Sequence, residues 1–284
     1  MTKKESMNVN AKSLSVKLQR LLMVMAAIMM ALVTFSACEK DENGDKDENG
    51  SGDEKPGQIS GFGDNTGKIS GKTFELPNGI VFDGDILGAS WESITTHSFE
   101  IKSEKLSYNY TTLLNEMTTR SVISDYYKYD MYGSGVNVLI LLRLKNTTSR
   151  QIDVEFPAGL VFESSNAKYQ HGILIKKTKV SVPAEGNDVI LMMYCGNAKR
   201  DMPGTSVKFL KPVVTNSNLL LSLCDLVKNK RINVEENMES NDEMGNYFEI
   251  TYKLQEIVWK VTDYGQKPDK ADLDYIAGIS NSQF

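Results

Sequence analysis

The sequence predicts a mainly β globular domain, an Ig-like antiparallel sandwich elaborated by two or three C-terminal helices. Three observations carry this. Between residues 136 and 195 short apolar runs recur with turn residues between them, at sandwich spacing and without the long helical stretches of βαβ units. Several of these runs alternate apolar and polar side chains. After residue 216 the apolar period changes from two to about 3.6 residues.

The chain divides into a signal segment over 1–37, a flexible acidic tether over 38–70 and a globular part over 71–284, with a sub-boundary near 135. Lys3, Lys4, Lys12, Lys17 and Arg20 make a basic start, and residues 21–33 are unbroken apolar sequence, short for a permanent membrane span. Phe35 is too bulky for ordinary signal cleavage. Phe35-Ser36-Ala37-Cys38 instead resembles a lipobox, with Leu32 in support and Phe35 where Leu or Val is commoner. That resemblance implies an acylated Cys38, and more than one acyl chain gives stable anchoring. The acidic run Cys38-Glu39-Lys40-Asp41-Glu42 is similar to the lipoprotein export signal of Bacteroidetes. It implies an outer-membrane lipoprotein facing the cell exterior. Residues 39–70, rich in Asp, Glu, Asn, Gly and Ser, read as a solvated tether.

Within the globular part, Asn78-Gly79 between 74–76 and 80–82 predicts a hairpin. His97, Phe99 and Ile101 alternate with polar neighbours and predict a half-buried strand; residues 110–117 predict a helix. Residues 138–144 are apolar on both faces and predict a central strand. Ile152, Val154 and Phe156 predict a half-buried one, broken by Pro157-Ala158-Gly159 and resumed at 160–162. Residues 173–175 and 180–182 follow, and the slip in alternation between Lys176 and Lys179 predicts a bulge or kink. Val189, Leu191, Met193 and Cys195 share one face of the next strand; Ile190, Met192 and Tyr194 share the other. Asn216-Ser217-Asn218 caps a helix striped by Leu219, Leu220, Leu223, Leu226 and Val227. A second stripe runs through Ile250, Leu254, Ile257, Val258 and Val261 to Gly265, and Asp269 caps a short last helix. These helices are expected at an edge or end of the sandwich, shielding strand edges.

Function is less determined. With 32 basic and 37 acidic residues, a net charge of −5 and no basic stripe, nucleic acid is an unfavoured partner. No phosphate loop, dinucleotide fingerprint, zinc motif or nucleophile elbow occurs, so no cofactor, no metal and no catalytic set is expected. Of the two histidines, His97 falls on the apolar face of its strand and His171 beside Gln170. Tyr194-Cys195, followed by Leu254-Gln255 and Trp259, resembles two blocks of bacterial thioester domains, surface adhesins with a Cys–Gln internal thioester. Leu254 and Ile257 depart from the block's Thr and Ala. The resemblance implies a covalent adhesin using Cys195 with Gln255 or Gln170. Cys195 and Cys224 are compatible both with a disulfide and with two buried thiols. Tyr126, Tyr127, Tyr129 and Tyr132 offer an aromatic surface for a glycan or protein ligand. The leading expectation is therefore a non-catalytic binding or accessory module. The alternatives are the covalent adhesin and a hydrolase whose carboxylates meet only in the fold.

Overall fold

In this computed structural model residues 54–94, 128–238 and 241–282 are described. In chain order they form β1 (Gly71–Thr73), β2 (Ile80–Phe82), β3 (Ile86–Ala89), the single turn α1 (Trp91–Ile94), β4 (Asp130–Gly133), β5 (Val138–Asn146) and β6 (Ile152–Phe156). Next come β7 (Leu160–Phe162), β8 (Gly172–Leu174), β9 (Thr178–Val182), β10 (Asn187–Cys195), β11 (Lys208–Phe209) and β12 (Val213–Thr215). Three helices follow: α2 (Asn218–Val227), α3 (Asn241–Thr262) and α4 (Lys270–Gly278). The fold is mainly antiparallel β-sheet with a few helices.

A ten-stranded sheet runs β1-β12-β7-β8-β10-β5-β3-β11, with β2 joining β5 and β4 joining β10. The long strands β5 and β10 pair antiparallel from Asn187↔Leu144 to Met193↔Val138 and form its centre. β10 from Val189 on and β5 from Val138 to Leu142 are covered on two faces, which explains their continuous apolar sequence; beyond Leu142 β5 turns Arg143 and Lys145 to solvent. The sheet curls until β11 meets the continuation of β7: Ser164 bridges Phe209, and Ser165 N–H donates to the Lys208 carbonyl at 2.9 Å. β6 and β9 form a separate two-stranded sheet. Its Val154, Phe156, Val180 and Val182 share a core with Val189, Leu191, Met193 and Cys195 from the inner face of β10. Not all pairing is antiparallel, since β4 lies parallel to β10.

The outer face of the sheet is covered by helix. Ile190 and Met192 meet Tyr247 and Phe248 near the start of α3; Tyr194 meets the cluster of Leu254, Ile257 and Val258 further along it. The α3 stripe thus lies across a sheet face and not at an edge or end as expected. Burying a side chain such as Leu254 there contributes about 1.5–3 kcal/mol, more than edge protection would offer it. Caps follow their sequence signals: Ser217 Oγ accepts from Leu220 N–H, and Asp269 with Asp272 makes a capping box on α4.

Several other expectations change. The turn at Asn78-Gly79 forms, with Ile80 N–H donating to the Pro77 carbonyl and Gly79 at φ 96°, but no hairpin does. β2 pairs with β5, and β1 pairs with β12. The slip at 176–179 is a kink and not a bulge: the chain bends at Ile175 and Lys176, leaving the large sheet at Leu174 and entering the small one at Thr178. No division falls near 135, because residues 51–284 make one unit. Residues 54–70, expected to be part of the tether, are packed against the domain. Ile59, Phe62 and Ile69 join the helical core, and Glu54 accepts hydrogen bonds from Ser217 Oγ and Leu219 N–H. Phe62 lies over Gly196, where a Cβ would come within 2.4 Å of its ring. The predicted strand at 97–101, the helix at 110–117, the signal segment, Cys38 and the tether over 39–53 lie outside the described residues. Among the described residues no helix is long and apolar enough to cross a membrane.

Candidate functional site

The chemistry-bearing residues converge where β10 ends. Gly196 and Asn197 stop the strand. Gly196 N–H donates to the His171 carbonyl at 3.1 Å, and the Asn197 side chain takes over the lateral bonding. Asn197 Oδ1 accepts from His171 N–H at 3.0 Å, while Nδ2 donates to the carbonyls of Gly61 and Gly63 at 3.2 and 3.0 Å. One fully buried amide therefore fastens the strand end, the approach to β8 and the segment before β1.

Gln255 reaches the same point from α3. Its Oε1 accepts from Cys195 N–H at 2.8 Å and from Asn137 Nδ2 at 3.1 Å; its Nε2 donates to the Cys195 carbonyl at 2.9 Å. The side-chain amide thus lies along the Cys195 peptide as a neighbouring strand would. Trp259, one helical turn on, packs against the cluster that contains Cys195. At the end of α3, Asp263 Oδ1 accepts from Ala198 N–H at 2.7 Å and Oδ2 from Thr262 Oγ1 at 2.7 Å. The loop after β10 is therefore tied to α3 at two levels.

The structure brings Cys195 and Gln255 together, as the thioester resemblance implied, but in a different relation. The Gln255 amide is held by three hydrogen bonds, two of them to the Cys195 backbone. Cys195 is a free buried thiol whose Sγ accepts from Asn197 N–H at 3.2 Å. Burial pushes this thiol up to about 12, against the opposing pull of the Asn197 N–H and the Trp259 indole. A thiol so placed is protonated at neutral pH and a poor nucleophile. Gln170 is not directed to Cys195. Its Nε2 donates to the Arg200 carbonyl at 2.9 Å and its backbone N–H to the Asp201 carbonyl. Cys224 is also a free buried thiol, in the helical core and not the inter-sheet core, so the two cysteines form no disulfide.

His171 is buried beside Cys195. Its Nδ1 accepts from Ser164 N–H at 3.0 Å, and Arg200 Nη1 stands 2.8 Å from Nε2. Burial, then the Arg200 charge, lowers it to about 4, so the ring is neutral at neutral pH. Tyr129 and Tyr132 are half-buried and packed on two different cores, so they do not form an exposed aromatic face. Tyr126, Tyr127 and His97 lie outside the described residues. An open groove of about 370 Å³ lies between Asp83, Lys145, Glu185 and Asp188, and neither Cys195 nor His171 lines it. Among the described residues no group of three His, Cys, Asp or Glu side chains could hold a metal ion.

Sequence reading missed Asn137, Asn197 and Arg200, for which no motif exists, and also Glu235. Glu235 Oε2 accepts from Gly133 N–H at 2.8 Å, and Oε1 accepts from Asn233 Nδ2 at 3.0 Å and from Thr178 Oγ1. Burial raises its carboxyl to about 7.

His171 and Glu235 act on stability in opposite senses. His171 titrates at 6.5 unfolded and about 4 folded, so its contribution is present above pH 6.5 and is lost as pH falls toward 4. Glu235 titrates at 4.5 unfolded and about 7 folded, so its contribution is present below pH 4.5 and is lost as pH rises toward 7. Each slope is about 1.4 kcal/mol per pH unit, and they oppose one another where the windows overlap. Urea midpoints of His171→Gln should therefore fall from pH 4.5 to 6.5 more steeply than those of the unsubstituted chain. Parallel profiles would show that His171 does not titrate as described.

No protein-family model, curated protein or solved structure matches the chain.

Proposed function

We propose that this chain is an outer-membrane lipoprotein, anchored through Cys38 and displayed on the cell exterior, acting as a non-catalytic binding or accessory module. Its ligand is a glycan, a peptide or a partner protein. The fold in this reading is an Ig-like sandwich with helical elaboration; the core shared by β6–β9 and the inner face of the curled sheet is in keeping with it. The observation that carries the reading is the order Phe35-Ser36-Ala37-Cys38 followed directly by the acidic run. The burial of the Cys195 thiol and the engagement of His171 Nδ1 by Ser164 N–H favour a binding role over a covalent or hydrolytic one, since neither atom is free to act as nucleophile or base.

Two arms test it. Cys38→Ala should move the protein from the membrane fraction to the soluble one, and whole-cell protease should digest the unsubstituted protein. Unchanged membrane retention, or full protection from protease, would remove the anchoring half. A glycan and protein array probed with the Cys38→Ala chain should give specific capture that survives Cys195→Ser. Loss of capture in that variant, with its unfolding curve unchanged, would restore a covalent role for the thiol.

A further inference from the structure

The hydrogen-bond polarity around His171 is unbalanced. A neutral imidazole has one acceptor nitrogen and one N–H. Ser164 N–H is a backbone donor held in place by the Ser164–Phe209 bridge, and it stands 3.0 Å from Nδ1. The proton must then be on Nε2. Nε2 faces Arg200 Nη1 at 2.8 Å, and a guanidinium has only donors. The opposite tautomer merely moves the conflict to Ser164. Two donors therefore converge on one place and lack an acceptor.

Arg200 cannot simply leave. Its carbonyl accepts from Gln170 Nε2 at 2.9 Å and its N–H donates to the Asn197 carbonyl at 3.1 Å, so its backbone is pinned at the sheet end. Its side chain is half-buried, and among the described residues no carboxylate makes an ion pair with it. Asp64, Glu163 and Asp263 act on it only from farther off. Their combined negative field weighs against a doubly charged anion and leaves a singly charged one favoured.

We infer that Arg200 and His171 form a seat for a ligand carboxylate, with one oxygen accepting from Nε2–H and the group charge-paired with the guanidinium. Arg200 pivots outward by its side chain to admit it. Planar pairing of guanidinium with carboxylate is the strong form of this contact. The inference rests on the binding-module reading and narrows its ligand to one bearing a carboxylate, either a sugar acid or an acidic peptide group.

The test is a titration of the Cys38→Ala chain, labelled in its histidine rings, with sodium glucuronate, sodium acetate and an acetylated acidic dipeptide. Sodium chloride at equal ionic strength is the control, and His171→Gln assigns the resonance. A saturable shift of the His171 ring alone, absent with chloride, is expected. Arg200→Gln should weaken it about tenfold or more. Preference for glucuronate or for the dipeptide tells the two sources apart. No saturable His171 response in the unsubstituted ring pair overturns the seat, whatever becomes of the Arg200 variant, and so does a stronger response to sodium phosphate, titrated in the same way, than to every carboxylate. Array capture that persists in Arg200→Gln, with no His171 response, ends the seat and leaves the binding module standing.

Discussion

Gln255→Ala is expected to lower the unfolding free energy by about 2–6 kcal/mol, one of the two largest single-residue effects in this chain. The substitution removes an acceptor from Cys195 N–H and a donor from the Cys195 carbonyl, both inside the protein. Each buried backbone group left unmade costs about 1–3 kcal/mol, and the Gln255 side chain that serves both groups is 1% exposed. Asn137 Nδ2 loses its partner as well. Gln255→Glu separates the two halves of the clamp, because a carboxylate still accepts from Cys195 N–H but cannot donate to the carbonyl. Urea unfolding at constant pH measures both variants. A cost below about 1 kcal/mol for the alanine variant would mean that the clamp does not hold the strand end.

Lys176 carries the second. Its side chain is 6% exposed, and that of Glu236 is 17%. Nζ donates to Glu236 Oε1 and Oε2 at 2.6 and 2.7 Å, to the Lys230 carbonyl at 2.7 Å and to Ser282 Oγ at 2.6 Å. One ammonium therefore joins the crossover between the two sheets, the loop after α2 and the segment that follows α4. Glu236 in turn accepts from Asn233 N–H at 3.0 Å. Lys176→Met keeps the apolar stem and strands a carboxylate, at a cost of about 3–5 kcal/mol. Lys176→Met with Glu236→Gln removes the stranded charge while an amide oxygen still accepts from Asn233. The pair should recover a large part of the loss, so a double-mutant cycle shows strong coupling. Additive effects would mean that the two side chains do not act as a pair.

Local signals were readable wherever the chain's own pattern decides the outcome. The two faces of β10 follow from strict alternation, and α2 and α4 begin where Ser217 and Asp269 place a cap. Partners chosen at long range were not readable. The Asn78-Gly79 turn forms, but β2 finds a longer apolar neighbour in β5 than residues 74–76 could offer. An apolar helical stripe says which side of α3 is buried and not which surface receives it. Residues 54–70 have the composition of a tether, and three isolated apolar side chains with backbone bonds to Gly196 and Asn197 suffice to dock them. Lys176 sits where alternation slips, which signalled irregular backbone but could not reveal a buried ion pair with a residue sixty positions on.

The candidate site was half legible for the same reason. Cys195, Gln255 and Trp259 stood out by residue type and do meet. Whether Gln255 meets the thiol as an acyl partner or the peptide as a clamp depends on side-chain direction, which spacing does not encode. Asn197 and Arg200 look like ordinary loop residues until the sheet end is assembled around them.

The most direct test of this account is the intact mass of the Cys38→Ala chain before and after methylamine, with thiols counted in the native and unfolded states. The account predicts the full sequence mass without loss of ammonia, no amine adduct, and two thiols that react only after unfolding. A mass short by one ammonia, replaced by a methylamine adduct and with one thiol missing, would contradict it.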